Sequence, residues 1–498
     1  MTFNNEYINI VWFKRDLRLE DNEAIIKSLN SNNRTLLLYV FEPILLNNPH
    51  YSQRHWDFIK ESILDINTKL RSYNTKVLTI ESDIISAFNQ IQNHYRIKSI
   101  FSHKETGIAV TYDRDKTMKR FCKNNLIHWD ENLNNSVIRG LKNRDDWYNK
   151  WNEYMSQRIM DFEPQDESFL NFSEIESLEA YFKNVSLNTH LEKSFQSGGT
   201  SMAWKYANSF FNERNKNYMF HISKPYESRF SCSRLSPYIA WGNLSVRQIY
   251  QSALKSAESS PNKKQLGAFI SRLRWQAHFI QKFEMEDIME KVSINKGYRK
   301  LKKQVSEQYQ KAWREGQTGF PLVDASMRCL NETGYLNFRM RAMLVSFFTH
   351  ILWQPWQDAS RHLSQMFLDF EPGIHFPQLQ MQAGETGINN LRIYNPIKNS
   401  IEHDPEGTFI KKWVPELASL DLPFLHEPQL MTPLESEIYN FKLGRDYPLP
   451  IVELKSQRKY ASDVLWKLKK HKTVLNDNSR ILKKHTLKNR SIMLKNRL

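Results

Sequence analysis

At 498 residues with a net charge of +16, the chain is too long for one core and is expected to hold two or three domains. Its three cysteines, Cys122, Cys232 and Cys329, exclude a disulfide framework and a four-thiolate iron–sulfur site, and they fit a reducing compartment. No run approaches the ~18 apolar residues of a membrane helix, and the start, MTFNNEYINIVWFKRD, has no charged segment followed by an apolar one, so a soluble cytoplasmic protein is expected.

A basic chain points to a polyanionic partner, but the charge is not spread evenly. From Lys455 to Leu498 there are fourteen Lys/Arg and two Asp, a net +12, which leaves +4 for everything before it. The tail is read either as a solvated helical arm or as a phosphate-binding segment.

YINIVWFKRDLRLEDNEAIIKSL reads as a buried strand, a polar loop and a helix. RTLLLYVFEP is a second strand, RHWDFIKESILDINTKLRSY a helix, and KVLTI and IKSIFSHKETG continue the alternation. Strands separated by helices predict a doubly wound parallel sheet over residues 1–130, with a ligand crevice at the strand ends near Lys14–Arg18 and His103–Gly107. Residues 131–200 read as a polar connector with short helices. Residues 201–455 read as a large all-helical domain, in which NFRMRAMLVSFFTHILWQPW is apolar nearly all round after Arg341, as a helix inside a bundle would be. The tail 456–498 is expected to be helical but loosely held.

In that helical region Arg339 and Arg341 stand two positions apart, about 200° around a helix axis, so they point to opposite sides. One can face a cavity while the other pairs with an acid, and Asp369 and Glu371 are the acids available; a structural ion network is the other reading. SCSRLSPYIAWG, residues 231–242, places small hydroxyl residues before a Pro and a helix, an anion cradle or a helix cap without ligand. FLDFEPGIHFPQLQMQAGETGINNLRIYNP, residues 367–396, brings acids and amides into an apolar stretch. Its one histidine has no ligand partner nearby, so no metal site is expected.

VWFKRDLRLEDN, VIRGLKNRDDWYNKW, SRLSPY, GQTGFPLVDASMR, RIYNP and DPEGTFIKKWVPEL follow in order along residues 7–417, and together they resemble the photolyase/cryptochrome flavoprotein family. The resemblance implies an α/β antenna domain, a connector and an all-helical domain holding FAD in a U-shaped conformation, in a protein expected to be a monomer acting on ultraviolet-damaged DNA. It puts Tyr218, Cys232, Ser233, Leu235 and Ser236 on phosphate and ribose contacts. Phe269, Arg272, Trp275 and Gln276 fall on the helix facing adenine and the substrate opening. Arg339 falls beside the flavin, Arg341 on an Arg paired with Asp369, Asp369 and Glu371 on two acids near the flavin, and His375 beside flavin N5, where an imidazole can exchange a proton or sit as a satisfied core histidine. A second chromophore in the α/β crevice, a folate, deazaflavin or flavin, is compatible with the family.

Departures from the family pattern also show. Arg272 replaces the Glu that holds a cyclobutane dimer, while Trp275 keeps the aromatic wall for a flipped base. Gln382 stands for a second lesion-pocket Trp. Phe338 stands for an Asn that the adjacent Asn337 can replace. The histidines of (6-4) repair are absent, with Asn337, Phe338 and Arg341 in their places. Of three electron-carrying tryptophans the middle one matches Trp356; the flavin-proximal place is Leu379 or Gln380 and the outer one Lys303. Trp353, one turn before Trp356 on an expected helix, is read as a stacking partner in an alternative relay or as a core aromatic, and Tyr335 and Tyr394 are further redox-capable residues. The functional expectation is a light-driven, FAD-dependent DNA photolyase-like enzyme. A cryptochrome-type blue-light photoreceptor, or a flavin-free nucleic-acid-binding protein, is the alternative.

Overall fold

The computed structural model describes residues 6–165, 167–189 and 194–487; the last eleven positions of the basic tail lie outside the described residues. Strands β1 (Tyr7–Phe13), β2 (Thr35–Phe41), β3 (Leu78–Glu81), β4 (Arg96–His103) and β5 (His128–Asn132) form a parallel sheet in the order β5-β4-β1-β2-β3. Val11 sits opposite Leu37 on one side and Phe101 on the other. β1 and β2 are almost wholly buried, as strands covered on both faces must be, and their apolar runs follow from that. A two-residue strand of the connector, β6 (Lys183–Asn184), caps the β3 edge in antiparallel sense. Helices Glu23–Leu29, Gln53–Leu70, Ile84–Gln92 and Ala109–Asn124 cross between the parallel strands.

Beyond the connector the described chain is helical. The longest element, Lys263–Glu284, packs against Pro372–Gln382. The helix Phe338–Ser346 runs on into a π-helical turn, Phe347–Ile351, and residues 342–352 are all buried, the interior position expected from the apolar run. One hydrophobic core joins a sheet face (Val11, Phe13, Phe41) to the helical body (Trp241, Phe283, Phe370), while a second fills the other face of the sheet around Ile10, Leu38 and Ile100.

The loop after β1 clamps the two parts together. Arg15 lies over the Trp241 ring at 4.3 Å and donates to the carbonyls of Ala240 and Phe370. Arg18 donates to the carbonyl of Gly242, and the Leu17 amide to that of Trp241. Gly242, at φ +75°, comes so close that a Cβ would lie 2.3 Å from the Arg15 carbonyl oxygen, so only glycine fits.

The tail departs from its expectation. Helices Leu454–Lys469 and Lys472–His485 fold back on the helical body. Arg480 pairs with Glu286 at 2.6 Å and with Asp477 at 2.6 Å, and the buried His485 bonds Glu286 at 2.8 Å. Leu465 and Val474 are buried against Tyr298. Its lysines dominated the charge count, but the apolar face beneath them is what fixes it in place.

Candidate functional site

The two arginines divide as their spacing predicts. Arg341 grips Asp369 through two parallel hydrogen bonds of 2.9 Å. Burial alone would push the Asp369 carboxyl up; Arg341, with a hydrogen bond from Ser236, outweighs it and holds it below the ordinary carboxylate value. Arg341 and Asp369 therefore tie three segments together: the Phe338–Ser346 helix, the loop before Pro372 and the SRLSP loop. Arg339 has no carboxylate partner among the described residues. It reaches only the Tyr394 hydroxyl, at 3.4 Å, and its buried Nε is unpartnered, as is the Oδ1 of neighbouring Asn337.

Glu371 does not serve these arginines. It caps the Pro372–Gln382 helix and faces Arg15 at 3.6 Å; burial outweighs Arg15 and keeps its carboxyl above the usual range. Between Glu371, Arg15, Lys104, Glu105, Gln276 and Ile280 lies a cleft of ≈ 40 Å³, which joins Gln276 to the β1 loop.

The SRLSP loop is held by side chains the sequence did not single out. Arg214 donates to the carbonyls of Cys232 and Ser233. Gln196 accepts from Arg234 and donates to its carbonyl, each at 2.9 Å, and Arg234 sits in the left-handed region at φ +60°, 3.8 Å over the Tyr335 ring. Leu235 and Ser236 open the short helix Ser236–Ala240. Arg229 donates to Cys329, Thr333 and the Tyr335 carbonyl and lies over the Tyr335 and Trp413 rings. Arg214 and Arg234 thus hold one loop, with Arg229 across the Tyr335 ring from Arg234, and among the described residues none of the three has a carboxylate within ion-pair reach. Burial, reinforced by Arg234, lowers the pKa of Arg214; burial, reinforced by Arg229, lowers that of Arg234. Nothing in the local pattern of NERNKN marked Arg214 for this role, because the loop carbonyls it reaches lie eighteen and nineteen positions further along the chain.

Tyr218 packs edge-on against Phe269 at 6.1 Å, with Arg272 beside its hydroxyl and Cys232 nearby. Burial pushes the Cys232 thiol up to about 12, so it stays protonated and inert. Arg272 is exposed, and Trp275, 38 % exposed, stands on the same helix with its ring against His278 and Phe279. Phe338 is also exposed, and Asn337 donates to the carbonyl of Ile222. The structure therefore gathers Tyr218, Cys232, Phe269 and Arg272 in one cluster, and joins Ser236, Arg341 and Asp369 in another.

The histidine and the amides are largely tied to the protein itself. His375 Nε2 lies 3.0 Å from the Ser360 hydroxyl and 3.1 Å from its carbonyl, and burial with His50 nearby lowers its pKa to about 3, so its ring is neutral. Gln380 donates to the carbonyls of Met289 and Val292 and accepts from the Ile294 amide. Gln382 reaches Gln378. Gln380 thus fastens the Pro372–Gln382 helix to the neighbouring 289–294 segment, while the Gln382–Gln378 bond stays within the helix.

One expectation needs correction. Trp353 is not one helical turn from Trp356: the π-helical turn ends at Ile351, the next helix starts at Trp356, and Trp353 lies between at φ +54°. Its aromatic neighbour is Tyr460 of the C-terminal helix, at 5.1 Å. The crevice at the strand ends is bordered by ion pairs beside the small cleft that Arg15, Lys104 and Glu105 line. Arg114 pairs with Glu42, Glu105 and Asp115 at 2.7–2.8 Å, Lys14 lies beside Asp115 and over the Trp12 ring, and His103 bonds Asp16 at 2.7 Å.

A parallel sheet joined to a helical body, with a cation-rich loop beside the Arg341–Asp369 pair, defines a two-part protein of one α/β and one all-helical portion, and comparison with known proteins supplies its family. The model described as "DNA photolyase" matches residues 9–140, and that described as "FAD binding domain of DNA photolyase" matches residues 269–467. The chain is 25% identical to a deoxyribodipyrimidine photo-lyase of Alkalihalophilus pseudofirmus, over 92% of this chain and 98% of that protein. It is 26% identical to a cryptochrome DASH of Synechocystis sp., over 89% and 94% respectively. The crystal structure of a Synechocystis cryptochrome superposes with a TM-score of 0.80 at 21% identity, covering 93% of this chain and 100% of that one. The chain belongs to the photolyase/cryptochrome family of flavoproteins.

Proposed function

We propose that the chain is a light-driven, FAD-dependent DNA photolyase-like enzyme that acts on pyrimidine lesions. The observation that carries this reading is that Arg214 and Arg234 at the SRLSP loop, with Arg229 across the Tyr335 ring, have no carboxylate. A buried Arg234 beside half-buried Arg214 and Arg229 is costly without counter-charge, and a pyrophosphate is an anion that relieves it. The unpartnered Nε of Arg339 and Oδ1 of Asn337 offer a donor and an acceptor, which suits a heteroaromatic ring edge. When bound, FAD supplies the one-electron photochemistry.

The protein's own groups do the positioning. Tyr218, Cys232, Ser233, Leu235 and Ser236 line the phosphate and ribose side, with Phe269 and Gln276 toward adenine. Asp369, fixed by Arg341, and Glu371, fixed by Arg15, hold the loop and helix carrying His375. Exposed Trp275 gives an extruded base a stacking surface. Arg272 takes a phosphate or a lesion carbonyl, where the family pattern has Glu. A second chromophore, a folate, deazaflavin or flavin, would belong beside the strand ends, where Arg15, Lys104 and Glu105 line the small cleft.

A cryptochrome-type photoreceptor is the second reading. The exposed Arg272 in the lesion opening and the docked C-terminal helix pair favour it. The test is repair of ultraviolet-damaged oligonucleotide by illuminated, reduced protein. Repair of either lesion type supports the enzyme. Normal flavin photochemistry without repair supports the receptor, and a purified, folded protein that is colourless and cannot be reconstituted with FAD defeats both.

A further inference from the structure

We propose that the cleft between the connector helix Trp147–Ser156 and the helices Val246–Ser259 and Lys263–Glu284 is a binding site for a small aromatic carboxylate, held by Arg274. The cleft has a volume of ≈ 600 Å³, the size of a small-molecule site. Tyr148, Met155, Tyr250 and Leu254 give it an aromatic and apolar lining, and Arg274 is the one cation among its lining residues. It shares no lining residue with the cleft beside Arg15 and Glu371 and none with the SRLSP loop. Arg274 lies 5.6 Å from the centre of the Tyr148 ring and 5.9 Å from that of Trp151, and Trp151 meets Tyr250 edge-on at 5.2 Å. Among the described residues Arg274 has no carboxylate within ion-pair reach, and its buried Nε has no acceptor. Gln251 donates to the carbonyls of Met155 and Gln157, each at 2.8 Å, which fastens the Val246–Ser259 helix to the connector and preforms the cleft.

The unpaired groups of this region are all of one kind. Among the described residues of segments 141–165 and 246–284, the buried side-chain polar atoms without a partner are Arg144 Nε, Trp147 Nε1, Trp151 Nε1 and Arg274 Nε, four donors and no acceptor. Buried donors are costly until something accepts from them, so the ligand that suits the region carries acceptors. Arg144 and Trp147 do not line the cleft. Arg144 is wholly buried, stacks 3.8 Å over Trp147 and donates to the His278 carbonyl at 3.3 Å; His278 stands one turn along the helix from Arg274. Arg144 also lacks a carboxylate within ion-pair reach among the described residues, so its charge adds to the attraction for an anion. A carboxylate suits Arg274, whose Nε and one terminal nitrogen form two parallel donors at the spacing of its oxygens, and an aromatic body covers the phenol rings and the side chains of Met155 and Leu254. Exposed Glu153 lines the same cleft and repels a doubly charged phosphate more than a singly charged carboxylate. Asp145 and Asp146, exposed just before the connector helix, add to that repulsion and disfavour a nucleic-acid strand.

The probe is 2-naphthoate, titrated by isothermal calorimetry at low salt into the full-length protein, with 2-naphthalenemethanol and 2-naphthyl phosphate as comparators. One 2-naphthoate per chain is expected to bind, at least tenfold more tightly than the alcohol and at least threefold more tightly than the phosphate. Arg274→Gln is expected to weaken it at least tenfold. Glu153→Gln, which removes the repelling carboxylate, is expected to tighten it at least twofold. Thermal melts establish that the variants are folded. Should Arg274→Gln fail to fold, Leu254→Asp reads the same site: Leu254 is 40% exposed, and a carboxylate placed there is expected to weaken 2-naphthoate at least tenfold. No binding at about 1 mM probe, equal affinity in Arg274→Gln or Leu254→Asp, no gain in Glu153→Gln, or tighter binding of the alcohol or the phosphate overturns the proposal. Displacement of 2-naphthoate by an oligonucleotide would assign the cleft to nucleic acid and overturn it equally.

Discussion

Arg341 and Asp369 meet through two parallel 2.9 Å hydrogen bonds, twenty-eight residues apart in the chain, and Asp369 is buried while Arg341 keeps a quarter of its side chain in solvent. Removing the cation strands a buried carboxylate. Arg341→Met is expected to cost about 2–4 kcal/mol in urea unfolding at pH 7, the lower end reflecting the solvent access of Arg341. The paired carboxyl has a folded-state pKa below its ordinary value, so its stabilisation is present above about pH 4 and is lost as pH falls through the folded value. The variant is expected to lose that part of the acid dependence.

Buried histidines act in the next pH window. His375 and His350 are lowered to about 3, and His55, His362 and His485 to about 4, each chiefly by burial. Between about 4 and 6.5 the unfolded chain binds protons that the folded one refuses, so stability falls as pH drops below 6.5. Each group contributes up to about 1.4 kcal/mol per pH unit. His375→Asn is expected to flatten that slope by one group's share in denaturant titrations from pH 7 to pH 4.

Arg234 separates cofactor retention from fold stability. Without an anion it is a buried cation with an unpartnered Nε. Arg234→Met is expected to raise the stability of flavin-free protein by about 1 kcal/mol while lowering flavin retention at least tenfold. Calorimetry of the stripped protein and flavin absorbance after gel filtration measure the two effects.

Gly242 tests the clamp between the sheet and the helical body. A Cβ there meets the Arg15 carbonyl and the Asp16 Cα at 2.3 and 2.5 Å, at positive φ. Gly242→Ala is expected to destabilise by more than about 1 kcal/mol, with the two parts melting less cooperatively.

For DNA, Arg272 and Trp275 make distinguishable predictions. Arg272→Ala, as loss of a phosphate contact, is expected to lower affinity across sequences and to reduce the salt slope by about 1. Trp275→Ala is expected to cost about 1–3 kcal/mol on lesion-containing strands by loss of stacking and to leave the salt slope unchanged. Fluorescence anisotropy at several salt concentrations reads both.

The sequence by itself determined the succession of strands and helices, the opposite orientations of Arg339 and Arg341, and the motif order that marks the family, because each is written in neighbouring residues and their period. Its motifs also put Asp369 with Arg341 through the family resemblance, but it did not decide where Glu371 would go. Asp369 went to Arg341, while Glu371 went to Arg15, more than three hundred residues away in the chain. Nor did it reveal the Arg114 ion pairs that border the strand-end crevice, or that the tail, read as a solvated helical arm or a phosphate-binding segment, brings Tyr460 against Trp353. Those pairings depend on how distant elements are placed once their apolar faces are buried. That placement belongs to the packed core, and no local stretch of residues encodes it.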